Sequence, residues 1–380
     1  MDASHEFGDG QAVNVAAPPA VEPLRGTMQR HVIFWLVALT AFIALLWLLS
    51  EILLPFVAGL AIAYLLTPLT DRLERLGVNR LLAALSIITL VVLAFVYLIL
   101  LVAPILGDQL SAFIESVPGY VTKLQSLLTD PNRPWIQKLV GAAGLNAEKT
   151  IGDLVTQGVG WLTAFLRSLW SGGRALISLF SLVVVTPVVA FYLIYDWHRM
   201  IRAVDGWVPV PQRDTVRALA REIDAAIAGF VRGQTGVCLI LGSLYAVALT
   251  LSGLNFGLLI GLISGLITFV PYVGSMTGLV LSTGVAVAQF WPDYGSILTV
   301  VAIFLVGQFL EGNLLSPKLV GESVGLHPVW VIFALLAFGY LFGFVGLLLA
   351  VPLAATIGVL VRFALRRYLE SSLYTGTPAD

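Results

Sequence analysis

The chain contains 380 residues, of which 58% are hydrophobic and 11% are charged, and its formal net charge at pH 7 is −1. A water-soluble domain carries about 25% charged residues, so this composition excludes a fold with one core surrounded by water. The near-zero charge excludes a basic nucleic-acid-binding surface. Apolar runs of about 15 to 25 residues recur along the chain, and such lengths suit helices that cross hydrocarbon. The sequence therefore predicts an all-α polytopic membrane protein.

The N-terminal part begins with a predicted tail and continues with three predicted spans. Residues 1–29 are rich in Ala, Pro and Gly and lack the basic region and cleavage site of a signal peptide, which predicts a disordered cytoplasmic tail. Residues 30–106 are predicted to form the N-terminal transmembrane helices. The apolar runs in that region cover roughly residues 32–49, 52–68 and 81–105.

A less apolar region, residues 107–174, separates the third predicted span from the fourth. Within it, residues 110–128 place apolar side chains at helical spacing, and residues 151–170 repeat the pattern less regularly. This spacing predicts amphipathic helices outside the membrane. Two interpretations stay open: a small packing domain, or an arm that moves or contacts substrate.

A fourth span is predicted at residues 175–195, and a cytoplasmic Arg-rich amphipathic helix is predicted to follow it at residues 196–232. Six arginines lie between Arg199 and Arg232, so the positive-inside rule places this segment in the cytoplasm. These arginines are predicted either to contact anionic lipid or to remain solvated. The candidate residues of this cytoplasmic interface are Arg213, Arg217, Arg221 and Arg232.

Residues 233–365 are predicted to form a C-terminal transport core, and residues 366–380 a cytoplasmic tail. Two tight pairs of short apolar segments hinge on Pro271–Gly274 (PYVG) and on Gly343–Gly346 (GFVG). Short length and Gly/Pro content favour re-entrant hairpins over pairs of full spans. A span followed by such a pair occurs twice, in opposite directions. That order fits an inverted repeat, a common basis of transporter sites, although short motif echoes also arise by chance.

Four motifs, in this order, resemble the autoinducer-2 exporter (AI-2E, or PerM-like permease) family. The first is PFVAGLAIAYLLTPLTDRLERLGVNRLLAAL at residues 55–85, and the second is FVRGQ at residues 230–234. The third is FVPYVGSMTG at residues 269–278, and the fourth is GNLLSPKLVGESVGLHP followed by GFVGLLLAVPLAA. The resemblance covers roughly residues 36–367. Ser275 stands where the family usually has Pro and Thr268 where it commonly has Asn, so substrate selectivity is expected to differ at that turn.

This resemblance implies a fold of about eight spans that include re-entrant hairpins, assembled as a homo-oligomer with a pentamer as the expected size. It implies efflux of a small polar signalling molecule such as autoinducer-2 or, in some members, exchange of Na⁺ for H⁺. The basic connections place both termini in the cytoplasm, and the resemblance implies that the membrane is a bacterial inner membrane. Membrane lipid, the solute and Na⁺ or H⁺ are therefore the expected partners.

The polar stretch Glu311–Pro328 supplies half of the candidate pathway residues. A carboxylate in hydrocarbon must face a cavity or a partner, so Glu311 is interpreted either as an ion-coupling residue or as the partner of Lys318. Lys318 is interpreted as a charge that attracts an anionic group or as an interfacial lysine. His327 is interpreted as a titrating group or as a helix cap. The candidates in this stretch are Glu311, Asn313, Pro317, Lys318 and His327.

The first glycine–proline turn supplies the other candidates, because unwound carbonyls and hydroxyls suit a small cation or a polyol. Its predicted pathway residues are Thr268, Pro271, Tyr272, Gly274 and Ser275. Glycines spaced by four residues favour close helix packing. The predicted hinge and packing residues are Gly257, Gly261, Gly265, Gly343, Gly346 and Pro352.

No nucleophile–base arrangement, cysteine-rich metal site or phosphate-binding glycine loop is present in the sequence, which predicts a non-enzyme without cofactor or metal. Three functions stay open. The first is a secondary exporter of a small polar solute, the second a cation/proton antiporter that uses Glu311, and the third a scaffold without transport activity.

Overall fold

A computed structural model of the chain describes residues 25–128, 181–321, 325–371 and 374. The described part is helical, with turns between helices and no strand. It divides into two compact units, residues 1–49, which contain α1, and residues 50–380, which contain the other helices. The α-helices of the described part are α1 (Arg25–Leu48), α2 (Ser50–Arg75), α3 (Arg80–Leu128), α4 (Thr186–Trp207), α5 (Arg213–Leu251), α6 (Gly257–Ile267), α7 (Val273–Phe290), α8 (Tyr294–Leu310) and α9 (Pro328–Leu369). Two π-helices, Ser181–Val185 and Glu311–Val320, precede α4 and follow α8, and a 3₁₀ turn, Val210–Gln212, precedes α5.

Six segments of the described part are long and apolar enough to cross a membrane, which agrees with a polytopic membrane protein. The predicted arm at 129–174 and the first residues of the predicted fourth span lie outside the described residues, as does most of both tails. One correction concerns the N-terminal tail, because α1 begins at Arg25, inside the segment predicted to be disordered. The six segments are Ile52–Arg75, Arg80–Tyr120, Val210–Leu251, Val273–Phe290, Tyr294–Val320 and Pro328–Leu369.

Helix α3 runs without interruption through the predicted domain boundary at residues 106 and 107. Its 49 residues make a rod about 73 Å long, well beyond the thickness of a hydrocarbon core. The apolar stripe over residues 110–128 continues the 3.6-residue period of the preceding span. The fall in hydropathy therefore marks a change of environment along one helix rather than a helix end.

Helix α5 likewise runs through the predicted boundary at residues 232 and 233. The predicted cytoplasmic helix is instead the end of α4, a short turn and the start of α5. The two helices are tied by Arg217, whose guanidinium donates to both carboxylate oxygens of Asp205 at 2.8 and 2.7 Å. The hydrogen bond from Arg217 holds the pKa of Asp205 below its usual value. Gly233 lies within α5, and its lack of a side chain permits close contact with the Leu319 backbone.

The N-terminal helices pack through small and branched side chains. Ala63, Ala84, Ala190 and Ile194 are buried together where α2, α3 and α4 meet. Arg80 fixes the end of this bundle, since its guanidinium donates to the Ile194 carbonyl at 2.8 Å and to Glu74 at 2.9 Å. The first turn of α3 is thereby bonded to α4.

Helices α5 and α6 approach closely because three glycines of α6 face α5. An added Cβ on Gly257 would lie 2.8 Å from the Leu249 carbonyl carbon, and one on Gly261 or Gly265 would overlap the α5 backbone. Close approach of this kind requires small residues at the contact. In the structure these glycines lie at the contact between α6 and α5.

The chain forms a helical hairpin from α6 and α7, called here the first hairpin. Gly274 packs against the Thr268 backbone and Gly278 against Ser264, which places the two helices antiparallel. At the open end, the Gln289 amide donates to the Gly253 carbonyl at 2.8 Å. The turn between the helices contains Pro271 and Tyr272.

Helix α9 is also a hairpin, called here the second hairpin, because the chain reverses at Gly343. That glycine has φ 59° and ψ −137°, a conformation that side chains disfavour. Gly346 packs against the Phe338 carbonyl. Ala334 and Ala350 lie in one buried cluster, although a straight helix would hold them about 24 Å apart. The 42 residues of α9 are therefore two antiparallel arms and not a single crossing.

Candidate transport cleft

A cleft of about 780 Å³ lies where α5, the two hairpins and the π-helix after α8 meet. Phe230 and Gln234 of α5 form one wall, and the turn of the first hairpin supplies Pro271 and Tyr272. The remaining wall comes from the end of α8, the π-helix, the described loop residues after it and both arms of the second hairpin. The polar side chains that line the cleft are Gln234, Tyr272, Gln308, Glu311 and Ser316.

The π-helix positions the charged side chain of the cleft. Helix α8 passes at Glu311 into a widened ten-residue turn that contains Gly312 and Pro317. Proline lacks the N–H that an α-helical bond needs at that point, and glycine weakens the α-helix further. Such widened turns occur frequently at functional sites. Here the turn places Glu311 on the cleft-facing side.

Glu311 is buried and unpaired. Only 7% of its surface is exposed, and its Oε2 atom has no hydrogen-bond partner among the described residues. Lys318 is exposed, and no ion pair joins it to Glu311 in the described structure, so the structure does not show the Glu311–Lys318 pair that was one of the two interpretations. A carboxylate at the centre of a membrane costs about 2.5 to 3.5 kcal/mol on insertion scales. Retaining that cost without a protein partner points to a ligand or a proton.

Two α5 side chains lie close enough to Glu311 for its charge to act on them, Cys238 and Tyr245. Tyr245 is fully buried, stacks on Phe304 at 4.4 Å between ring centres, and packs against Gly307. Its hydroxyl has no hydrogen-bond partner among the described residues. Two unsatisfied polar groups therefore occur in the same part of the α5–α8 contact, where buried polar groups are normally bonded.

Gln234 connects the cleft to the first hairpin. It is 4% exposed, and its side-chain amide donates to the Thr268 carbonyl at 2.6 Å. The Thr268 hydroxyl in turn donates to the Ser264 carbonyl at 2.8 Å. The last carbonyls of α6 thus receive bonds where the helix ends. Gln234 therefore lines the cleft and, through its bond to Thr268, also holds the end of α6 that leads into the turn of the first hairpin.

The predicted turn residues divide into two groups. Pro271 and Tyr272 line the cleft, and Tyr272 adopts a left-handed backbone conformation with φ 67° at the start of α7. Thr268, Gly274 and Ser275 lie behind them in the contact between the hairpin helices and do not line the cleft. The structure brings two of the five predicted turn residues to the cleft surface.

Of the predicted residues in the polar stretch, Glu311 and Pro317 line the cleft, and three others do not. Asn313 is exposed, and its amide donates to the Phe309 carbonyl one turn earlier at 3.0 Å. His327 is the N-cap of α9, where its Nδ1 accepts from the Val329 amide at 3.3 Å. Lys318 points away from the cleft-lining set. The cleft therefore holds a carboxylate but no basic side chain among its lining residues.

The predicted hinge and interface residues hold helices in place. Gly343 and Gly346 form the reversal of the second hairpin, and Pro352 is buried beside the cleft residue Val351. The arginines donate to neighbouring groups: Arg213 to the Val208 carbonyl, Arg217 to Asp205, Arg221 to the Arg217 carbonyl and Arg232 to the Tyr64 carbonyl. None of these arginines lines the cleft.

Sequence reasoning missed the α5 wall of the cleft, Phe230 and Gln234, and also missed Gln308. Gln234 carried a usable signal, because it is a polar side chain within the apolar run that follows Arg232. Gln308 precedes Glu311 by less than one α-helical turn, which is close enough to share a face. Both glutamines were missed because the candidates were taken from the polar stretch after α8 and from the first glycine–proline turn.

The described part of the chain combines six candidate membrane spans with a cleft between two helical hairpins that is lined by one buried carboxylate, features typical of polytopic membrane transporters. A family model described as AI-2E family transporter matches residues 36–366. The chain belongs to the AI-2E family of transporters, and this confirms the resemblance read from its motifs. The family is one of transporters rather than of enzymes.

Relatives of similar length extend this assignment. The protein YrrI of Bacillus subtilis (strain 168) is 31% identical over 340 residues, which cover 89% of this chain and 90% of YrrI. PerM of Escherichia coli (strain K12) is 29% identical over 331 residues, covering 86% and 91% of the two chains. Their names propose a transport protein and a permease. The AI-2 transport protein TqsA of Escherichia coli (strain K12) is 28% identical over 327 residues, covering 84% and 86%.

Proposed function

We propose that the protein is a secondary transporter of the bacterial inner membrane that exports a small polar solute of the autoinducer-2 kind through this cleft. The observation that carries the proposal is Glu311, a buried carboxylate without a protein partner that lines a cleft large enough for a small molecule. The printed name of the relative TqsA supports the substrate class. The chain has no phosphate-binding glycine loop, so an ion gradient or the solute gradient supplies the energy.

Both hairpins are proposed to be re-entrant. Helix α6 has 11 residues, which span about 17 Å, while a hydrocarbon core is about 30 Å thick. The first arm of α9, residues 328–342, is similarly short. Chain order supports opposite orientations, since α5 and α8 precede the two hairpins and run in opposite directions. A cleft bounded by two oppositely oriented hairpins suits alternating access.

Both termini are proposed to be cytoplasmic. Arg362 of the second hairpin donates to Glu222 of α5 at 3.2 Å, which supports placing the basic C-terminal segment beside the Arg-rich start of α5. The positive-inside rule then assigns this common side to the cytoplasm. The N-terminal tail is proposed to be cytoplasmic because the same rule, applied to the basic connections in the sequence, places it there.

A homo-oligomer, with a pentamer as the expected size, is proposed from the outer face of the second hairpin. Tyr340 is 90% exposed beside the reversal at Gly343, and Phe333, Leu336 and Phe344 are exposed near it. A chain reversal at membrane depth is tolerated only where protein or a water-filled cavity covers it. Packing of this face against a second copy would provide that cover, and lipid would contact the remaining apolar surface.

Cation/proton exchange is the second candidate, and the lone carboxylate favours it. Glu311 can hold a cation or a proton but not both, which is the minimum requirement for coupled exchange. The purified full-length protein in liposomes separates the candidates. Uptake of an autoinducer-2-type solute supports export, and Na⁺-dependent pH changes without solute flux support exchange. Absence of both in intact oligomers would refute transport and leave the scaffold hypothesis.

A further inference from the structure

The charge of the cleft is one-sided. Glu311 is the one charged side chain among the described residues that line it, and the other polar lining groups are neutral amides and hydroxyls. Three basic side chains lie close in sequence to residues that line the cleft, but none of them lines it. Arg232 donates to the Tyr64 carbonyl, His327 caps α9, and Lys318 is exposed. An anionic solute would therefore meet a carboxylate without a balancing cation.

The rest of the cleft surface is apolar and partly aromatic. Phe230 and Tyr272 contribute rings, and Val320, Val331 and Val351 contribute branched side chains. A volume of about 780 Å³ is the size of an organic-ligand site and far exceeds that of a bare metal ion. Aromatic faces attract ammonium groups through their quadrupole, most strongly where water is excluded.

We propose that the cleft binds a small organic cation, with its ammonium group at the Glu311 carboxylate and its apolar part against Phe230 and Tyr272. This inference rests on the proposed transport through this cleft and differs from it in the solute, which is a cation and not a neutral polyol of the autoinducer-2 kind. An ammonium ligand supplies the positive partner that Glu311 lacks in the described structure. A neutral polyol would satisfy hydrogen bonds but leave the carboxylate's charge uncompensated in an apolar surrounding.

Binding of the cation competes with protonation of Glu311. Among the described residues, Cys238 and Tyr245 on α5 lie within range of the charge of Glu311, and Tyr272 of the first hairpin lines the same cleft. None of the three carries a positive charge, so none replaces the ligand's ammonium group. Because only the ionised carboxylate attracts an ammonium ion, affinity for the cation decreases as pH falls.

The test compares choline with 3,3-dimethylbutan-1-ol, in which carbon replaces the charged nitrogen without a change in shape. Both are titrated calorimetrically into the detergent-purified full-length protein at pH 8 and pH 5.5. A charge-assisted contact contributes about tenfold or more in affinity. We expect choline to bind at least about tenfold more tightly than its isostere, and more weakly at the lower pH.

Three variants assign the effect to Glu311. Glu311→Gln should lose the preference for choline over the isostere, and Glu311→Asp should retain it because the charge remains. Glu115→Gln is the matched control, since Glu115 is an exposed carboxylate of α3 outside the cleft. Size-exclusion profiles and thermal unfolding confirm that each variant is folded. If Glu311→Gln does not fold, the comparison of choline with its isostere in the wild type and in Glu311→Asp still tests whether the cleft prefers a cation.

Equal binding of choline and its isostere would overturn the proposal, as would an undiminished preference in Glu311→Gln. Sodium chloride serves as a third titrant, and tight Na⁺ binding that excludes choline would replace the organic cation by an inorganic one. Liposome flux separates this inference from the proposed function. Flux of a neutral polyol that choline does not inhibit refutes the inference alone, whereas choline binding without any flux refutes transport alone.

Discussion

Two polar sites of the second unit differ in whether their polar side chains have hydrogen-bond partners. Where α2 and α5 meet, the Tyr64 hydroxyl donates to Asp224 at 2.9 Å and Arg232 donates to the Tyr64 carbonyl at 3.0 Å. Trp197 covers this cluster with a ring contact of 5.9 Å to Tyr64. In the cleft, Glu311 is more deeply buried, yet its Oε2 has no partner among the described residues.

The difference separates polar groups that hold helices together from a buried carboxylate oxygen that has no partner among the described residues. The bonds from Tyr64 to Asp224 and from Arg232 to the Tyr64 carbonyl fix two helices, while both charged side chains remain exposed to solvent. Glu311 has lost hydration without such a bond at Oε2 in the described structure, so folding alone does not account for it. Substitutions at the two sites should therefore have opposite effects on stability and on transport.

The largest expected effect is that of Glu311→Gln. Solute or ion flux in liposomes should fall by at least about tenfold and lose its pH dependence, because the titrating group is gone. Thermal stability should stay equal or increase, since the substitution removes an unpaired buried carboxylate. Flux against pH and thermal unfolding in detergent measure both outcomes. Wild-type pH dependence in this variant would refute the coupling role.

The sequence singled out Glu311 as a candidate because a carboxylate at the end of an apolar run is unusual. The helix breakers Gly312 and Pro317 predicted that the α-helix changes there. The sequence was also sufficient to place both hairpin turns from short apolar segments hinged on PYVG and GFVG. Lys318 misled the interpretation, because nearness in sequence does not fix the direction of a side chain on a widened turn.

Helix continuity and the contribution of α5 to the cleft were not predicted from the sequence, for physical reasons. In α3 and α5 the hydropathy changes abruptly while the helical period continues, so composition reports the environment and not the helix end. Gln234 lines the cleft because Gly233 and Gly265 allow Leu319 and α6 to approach α5 closely. The glycine spacing in α6 predicts that this helix packs closely, but not that it packs on α5 or that Leu319 lies beside Gly233.

A second substitution, Gln234→Leu, tests whether the cleft wall and the first hairpin are coupled. It leaves the buried Thr268 carbonyl without its 2.6 Å bond, at a cost of about 1 to 3 kcal/mol. Transport should also fall severalfold, since the turn beside Tyr272 loses its support. Gln289→Leu is the matched control, because Gln289 bonds the opposite end of the same hairpin. Equal loss of transport in both variants would contradict a specific role of the cleft wall.

A smaller effect is expected for Tyr64→Phe, the counterpart of Glu311→Gln at the paired site. The lost hydrogen bond to Asp224 should lower the free energy of unfolding by about 1 kcal/mol. Flux and its pH dependence should match the wild type, because this cluster holds helices and does not line the cleft. Denaturant or thermal unfolding, paired with liposome flux, gives both values. A shifted pH profile would remove the distinction between the two sites.

The smallest effect is expected at Asp293, a carboxylate outside the spans. It caps α8 by accepting bonds from the Ser296 hydroxyl at 2.6 Å and the Gly295 amide at 3.0 Å. The bond from Ser296 and those from the two amides hold its pKa below the usual value. A lowered folded-state pKa contributes stability above the unfolded value of about 4, and that contribution is lost as pH falls through the folded value.

Asp293→Asn keeps a capping oxygen but removes the charge. Thermal unfolding from pH 6 to pH 3 should therefore show a slightly less stable variant at pH 6 and convergence with the wild type at pH 3. A constant difference across this range would show that the charge of Asp293, unlike that of Glu311, has no consequence.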